Sequence, residues 1–265
     1  MIDPLQAFWL ALVQGLTEFL PISSSGHLIL APMVMGWPDQ GLAFDVAVHV
    51  GSLIAVLAYF RRDLAAMAAS VPDALQLRDN RDTRLIAHLA VATVPVVIAG
   101  FLFEQWVEDN LRSPLVIAWT MLGFALVLWF ADRVGSRERT LDGIDWRIAL
   151  VIGLAQVIAL VPGTSRAGIT ITAALLLGMT RVDASRFSFL LSIPTIIAAG
   201  VLEGASLANG VGPVDWTVFI VGVTVSALSA YACIALFLRV IERIGFMPFV
   251  VYRVILGAVL LYLFW

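Results

Sequence analysis

Gln14-Gly15-Leu16-Thr17-Glu18-Phe19-Leu20-Pro21-Ile22-Ser23-Ser24-Ser25-Gly26-His27 interrupts an apolar stretch spanning 5–35. Pro162-Gly163-Thr164-Ser165-Arg166-Ala167-Gly168 interrupts a second, 148–178. Pro21 and Pro162 lie 141 residues apart, as do Ser24 and Ser165, which reads as one unit used twice. Hydroxyl, carboxyl and guanidinium groups inside apolar segments are costly, so they mark working positions.

The rest of the chain makes these segments a membrane matter. Apolar residues are 61% of the total, charged residues 13%, and the mean hydropathy is +0.97. A soluble domain is about half apolar and a quarter charged, so a polytopic membrane protein is expected. All 16 basic residues are arginine, which excludes a phosphate site built on lysine. The single cysteine, Cys233, excludes an internal disulfide. The start, Met1-Ile2-Asp3-Pro4, lacks a basic leader, and the apolar run behind it carries Gln14 and Glu18, so no cleavable signal peptide is expected.

A spanning helix needs about 20 mostly apolar residues. Six segments qualify: 41–60, 85–103, 114–131, 185–202, 217–238 and 249–265. The stretches 5–35 and 148–178 each read as two half-length helices joined at a polar tip. Such a tip has to be buried in protein or line a wet cavity. Arginine placement gives orientation. Arg61, Arg62, Arg78, Arg81 and Arg84 fill the 61–84 loop, and Arg133, Arg137, Arg139 and Arg147 fill 132–147. Arg181, Arg186, Arg239, Arg243 and Arg253 are read as flanking other segment ends. The 104–113 loop sets Arg112 against Glu104, Glu108 and Asp109, and 203–216 has no arginine. With the arginine-rich loops in the cytoplasm, 5–35 enters and leaves on the outer side and 148–178 on the inner side. Each half, 1–132 and 147–265, is then one broken segment plus three spans. Three is odd, so the second half is inverted, an arrangement that brings paired broken helices together near the midplane. The expected fold class is an all-α polytopic membrane protein of six transmembrane helices and two re-entrant hairpins in an inverted-topology repeat.

The tips carry the chemistry. Ser23, Ser24 and Ser25 precede one returning helix, and Thr164 and Ser165 the other; Ser and Thr are good N-caps. Two helix N-termini meeting face to face, with Arg166 beside one, make an anion site suited to phosphate. Gln14 and Glu18 share a helix face leading to the serines. Glu18 can pair with Arg166, act as a base or hold a divalent cation. His27 can serve as acid, base or nucleophile. Taken singly, each serine is more often only a cap, and Glu18 with Arg166 could be a structural ion pair. Asp45 and His49 stand i,i+4 on the first span near its outer end, within possible reach of the site. His88, and the eight tryptophans as interface anchors, read as structural.

At these residues the chain resembles the BacA-type undecaprenyl pyrophosphate phosphatases of bacterial envelopes. The first motif of that family corresponds to Gln14 through His27 and the second to Pro162 through Thr170; the Phe44-Asp45 to Gly51-Ser52 stretch also fits. The resemblance covers essentially the whole chain. It implies hydrolysis of undecaprenyl diphosphate to undecaprenyl phosphate and inorganic phosphate, which recycles the lipid carrier for peptidoglycan, and an association with bacitracin resistance. It implies dependence on a divalent cation, Mg²⁺ or alternatively Ca²⁺, held at Glu18. Glu18, His27, Ser24 and Arg166 are the expected catalytic set. Gln14, Ser23, Ser25, Thr164, Ser165 and Arg166 are the expected substrate-binding set. Partners are the lipid substrate and the bilayer, with a homodimer admitted and nucleic acid excluded. The location implied is the inner membrane, with the site facing the periplasm. Gln14 departs from the glutamate of many members, and a neutral amide cannot act as a base.

On this reading a tip serine, Ser24 ahead of Ser25, attacks after losing its proton to His27, or a water attacks in line. Two other classes remain in play. A lipid-phosphate flippase or anion transporter could use the same inverted repeat. A PAP2-type phosphatase is echoed by Ser25-Gly26-His27 and Ser165-Arg166, but Thr172 stands where that family's second histidine is expected, and its lysine has no counterpart.

Overall fold

The computed structural model describes residues 2–76, 78, 80–208 and 215–265. The side chains of Glu104 and Glu108 and residues 209–214 of the 203–216 loop lie outside the described residues. Helix α1 (Pro4–Thr17) runs into the first tip and α2 (Ser24–Met35) returns from it. After α3 (Leu42–Tyr59) come α4 (Arg61–Ala69), α5 (Val71–Leu75), α6 (Arg81–Leu111) and α7 (Pro114–Val134). The second half is α8 (Trp146–Val157) with a 3₁₀ turn at Ile158–Leu160, α9 (Arg166–Leu176), α10 (Arg181–Ala208), α11 (Trp216–Ile244) and α12 (Met247–Phe264).

Among the described residues, six helices are long and apolar enough to cross a bilayer: Leu42–Tyr59, Arg81–Phe103, Pro114–Val134, Arg181–Gly204, Trp216–Ile244 and Met247–Phe264. They match the six expected segments. Helix α1 has 14 residues and α9 has 11. At 1.5 Å per residue they reach roughly 21 and 17 Å, short of an apolar core about 30 Å thick. Both broken stretches are therefore paired half-helices, as their composition implies. The 61–84 stretch, read as loop, instead holds α4 and α5; α4 exposes most of its surface and buries no residue fully.

The repeat is visible atom by atom, in a register one residue from the expected one. Asp3 and Asp145 both cap the entering helix, each accepting two backbone N–H bonds. The Ile148 and Arg147 N–H groups hold the Asp145 carboxyl below the usual carboxylate range. Gln14 and Gln156 are both fully buried. Ser23 and Ser165 take φ of 72° and 73° and cap α2 and α9, accepting from the Gly26 and Gly168 N–H groups. Gly36 and Gly178, with φ of 66° and 86°, end the returning helices. Every one of these pairs is 142 residues apart. Ser165 thus matches Ser23 rather than Ser24, and Arg166 occupies the place of Ser24. Packing exchanges the halves too: α1 lies on α11 as α8 lies on α6, while α3 meets α10 and α7 meets α12.

Two glycines set how closely the entering helices approach. A Cβ on Gly15 would lie 2.6 Å from the Ser226 carbonyl oxygen, and one on Gly153 would lie 2.7 Å from the Ala92 Cα. Neither backbone can yield, so only glycine allows α1 onto α11 and α8 onto α6. The core continues across the first tip, where Phe19 meets Phe189 of α10 edge-on at 5.2 Å.

Candidate active site between the two tips

Each tip ends in a serine with a left-handed backbone. That region is unfavourable for a residue with a Cβ, so the surrounding structure has to hold it. The reward is geometric. With Ser23 and Ser165 as N-caps, the N–H groups of Ser24, Ser25, Arg166 and Ala167 open their helices without an intrahelical partner. The tips also touch: Ser165 Oγ lies 3.4 Å from the Leu20 carbonyl oxygen, to which it donates.

Behind both tips sits Arg253, read from the sequence as flanking a segment end. It is instead fully buried. Its guanidinium donates to five backbone carbonyls: Met121 (3.2 Å), Pro21 (3.2 Å), Thr164 (2.9 Å), Thr120 (3.2 Å) and Gly163 (2.9 Å). Pro21 belongs to the first tip, Gly163 and Thr164 to the second, and Thr120 and Met121 to α7. The five N–H donors of arginine in a fixed fork match this socket, which a point-like ammonium cannot do. Among the described residues no carboxylate pairs with Arg253, so its charge adds to the positive ends of α2 and α9.

In front of the tips, Glu18 gathers the expected residues. Arg166 Nη2 donates to Glu18 Oε1 at 3.0 Å. Ser24 Oγ donates to Glu18 Oε2 at 2.5 Å, and Gln14 Nε2 donates to the same oxygen at 3.1 Å. Arg166 Nη1 is fixed on the Ser188 carbonyl at 3.1 Å. Gln14 therefore supports the carboxylate as a neutral donor, where a second ionised carboxylate would repel it. The short Ser24 contact is that of a hydroxyl on an ionised oxygen.

The other expected residues take lesser places. Ser25 Oγ lies 3.3 Å from Ser23 Oγ. Ser165 serves as a cap, while Thr164 offers its carbonyl to Arg253 and keeps a buried Oγ1 without a partner among the described residues. His27 does not engage Ser24. Its Nδ1 lies 2.6 Å from the Ser23 carbonyl oxygen and its Nε2 lies 2.6 Å from the Tyr252 hydroxyl. Asp45 accepts from Gln40 at 3.0 Å, and His49 Nδ1 lies 2.7 Å from the Asp45 carbonyl oxygen, so both are held on α3 rather than on Glu18. His88 lines a small pocket with Arg84, Arg81 and Asp142, outside the site. Sequence reasoning missed Tyr252 and Arg253. The one available signal was that Tyr252-Arg253 falls inside an apolar segment rather than at its edge.

A divalent cation fits this donor set only as an ion shared with a ligand. Among the described residues no group of three or more His, Cys, Asp or Glu side chains could hold one. Glu18 supplies one carboxylate, and Gln14 Oε1 is a buried amide oxygen without a partner among the described residues. Mg²⁺ sites commonly use one or two carboxylates and take their remaining oxygens from phosphates and water.

These features define a class: a membrane protein in which two helix N-termini meet, an arrangement suited to a phosphorylated anion, with a hydroxyl aligned on a carboxylate beside them. The model of the family described as "Bacitracin resistance protein BacA" matches residues 7–259, and the chain belongs to that family. It is 56% identical to an "Undecaprenyl-diphosphatase" of Alcanivorax borkumensis, across 98% of both chains. It is 53% identical to "Undecaprenyl-diphosphatase 2" of Stutzerimonas stutzeri, covering 99% of this chain and 98% of that one. It is also 53% identical to an "Undecaprenyl-diphosphatase" of Alteromonas mediterranea, with 96% of each covered.

Proposed function

We infer that the protein hydrolyses undecaprenyl diphosphate to undecaprenyl phosphate and inorganic phosphate in a bacterial membrane. Family membership and full-length identity above half support the reaction. One observation carries the mechanism: Ser24 Oγ donates to Glu18 at 2.5 Å while Arg166 holds the other carboxylate oxygen, between two free helix N-termini.

The diphosphate binds across the tips, held by Arg166 and the N–H groups of Ser24, Ser25, Arg166 and Ala167. Ser24 Oγ attacks the terminal phosphorus and passes its proton to Glu18. The bond from that phosphorus to the bridging oxygen breaks, and undecaprenyl phosphate leaves. Water then attacks the phosphoserine, giving one proton to His27 while Glu18 returns the first to Ser24. Phosphoryl transfer needs chiefly charge stabilisation and alignment, which the guanidinium and helix ends supply. A divalent cation such as Mg²⁺ would be held by Glu18 and Gln14 Oε1 with the substrate's own oxygens, and would neutralise diphosphate charge. The expected setting is the inner membrane, with the site open to the periplasmic side.

Phosphate release from purified protein tests this. Glu18→Ala and Arg166→Ala should each lose at least about a hundredfold in rate. Rapid acid quench should trap phosphate on Ser24. Near-normal turnover in either variant would remove the assignment, and turnover of Ser24→Ala at the wild-type rate would replace the serine with water.

A further inference from the structure

His27 is held at both ends, and the two ends have different chemistry. The Ser23 carbonyl can only accept, so Nδ1 carries a proton. In neutral His27, Nε2 is then the lone-pair nitrogen, and the Tyr252 hydroxyl donates to it at 2.6 Å. The rings also lie nearly parallel, 13° apart with centroids at 5.7 Å. One contact fixes the tautomer, the other the aim of the lone pair, and the stack fixes the ring plane. Tyr252 comes from α12, far from the first tip in sequence, and its neighbour Arg253 holds both tips.

We propose that Tyr252 positions His27 and links it to the attacking water: its ring and hydroxyl hold Nε2 beside the first tip, and the hydroxyl relays the water's proton to Nε2. This rests on the reading that His27 takes a proton from the water that attacks the phosphoryl group. A base works when its lone pair is within hydrogen-bond reach and in the right protonation state. An imidazole on a rotatable side chain at a helix start meets neither condition unaided. The Ser23 carbonyl alone leaves the ring free to swing about the Nδ1 contact, and Tyr252 removes that freedom. The single Nε2 lone pair is taken by the Tyr252 hydroxyl, whose oxygen keeps its own lone pairs for a water. As that water attacks, its proton passes to Tyr252 Oη while the Tyr252 proton passes to Nε2, leaving Tyr252 neutral and His27 protonated.

Tyr252→Phe separates the hydroxyl from the stack. Turnover of a prenyl diphosphate by the purified protein should fall roughly ten- to hundredfold in kcat with KM within about twofold, the scale expected when a reacting group is misplaced rather than removed. The effect should vanish in a His27→Ala background, because a residue that acts through another adds nothing once that other is gone. In the ¹⁵N spectrum, Tyr252→Phe should move the His27 Nε2 resonance away from its hydrogen-bonded position while Nδ1 stays protonated. Wild-type kcat in Tyr252→Phe, with His27→Ala slow, overturns the proposal alone. So does an equal loss from Tyr252→Phe with and without His27, which would make Tyr252 an independent group. Wild-type turnover in His27→Ala sinks the reading of His27 as a base, and the proposal with it.

Discussion

Replacing Arg253 with lysine keeps the buried charge and breaks the socket. The guanidinium satisfies five carbonyls from three segments. An ammonium has three protons, so at least two of those carbonyls lose their partner. A hydrogen bond to a charged group is worth about 1.5–3 kcal/mol, which puts the loss at roughly 3–6 kcal/mol. Domains are stable by about 5–15 kcal/mol in total. For a chain this size, each kcal/mol moves the melting temperature by about 2–4 °C. Arg253→Lys should therefore melt on the order of 10 °C below wild type in detergent, followed by tryptophan fluorescence. Phosphate release should fall even at temperatures where the variant stays folded, because the tips lose their common anchor. Arg166→Lys is the contrast. Arg166 makes two side-chain contacts, with Glu18 and Ser188, so its variant should melt within a few degrees of wild type while losing activity. An Arg253→Lys protein that melts within about 2 °C of wild type and turns over normally would refute the view that this socket joins the tips.

Three further outcomes follow from the same geometry. Glu18→Gln keeps the shape of the carboxylate but not its charge or basicity, so phosphate release should fall by about a hundredfold or more while the fold persists, as checked by gel filtration and melting. Ser24→Ala should lose activity to a similar degree, whereas Ser25→Ala, whose hydroxyl meets Ser23 rather than Glu18, should keep at least about a tenth of it. Gly15→Ala drives a methyl into the Ser226 carbonyl, and overpacking of this kind costs about 1–3 kcal/mol. Gly123→Ala, with nothing within 4 Å of the new methyl, should melt like wild type.

The sequence carried the architecture because its signals were local. Proline, glycine and serine broke two apolar runs at places that hydropathy alone exposes, and the six spans came out within a few residues. The tip residues were legible for the same reason, since Glu18 and Gln14 share a helix face and Ser23 to Ser25 sit where a cap belongs. Long-range geometry was not legible. Arg253 read as a segment end because an arginine in an apolar stretch normally marks one. What keeps it inside is a ring of carbonyls drawn from Pro21, Thr120, Met121, Gly163 and Thr164, which no local pattern announces. His27 read as the partner of Ser24 because the two are close in sequence. At the start of a helix, however, residues three apart can have their side chains claimed by different neighbours: Ser24 turns to Glu18 and His27 to Ser23 and Tyr252.

The corrected register explains why two like tips make one site. At a spacing of 142, Leu160 stands where Glu18 stands, and Arg166 where Ser24 stands. Were the halves identical in side chains, a serine would stand at 166 and Glu18 would meet it across the halves. No guanidinium would then be present to pair with Glu18 or to hold phosphate. On the proposed reading the backbone is kept in duplicate because two helix N-termini together surround an anion. The side chains diverge because an ion pair, unlike a helix end, cannot be made from two copies of one residue. The 3.0 Å contact between Glu18 and Arg166 joins the two halves at the point where their sequences differ in charge.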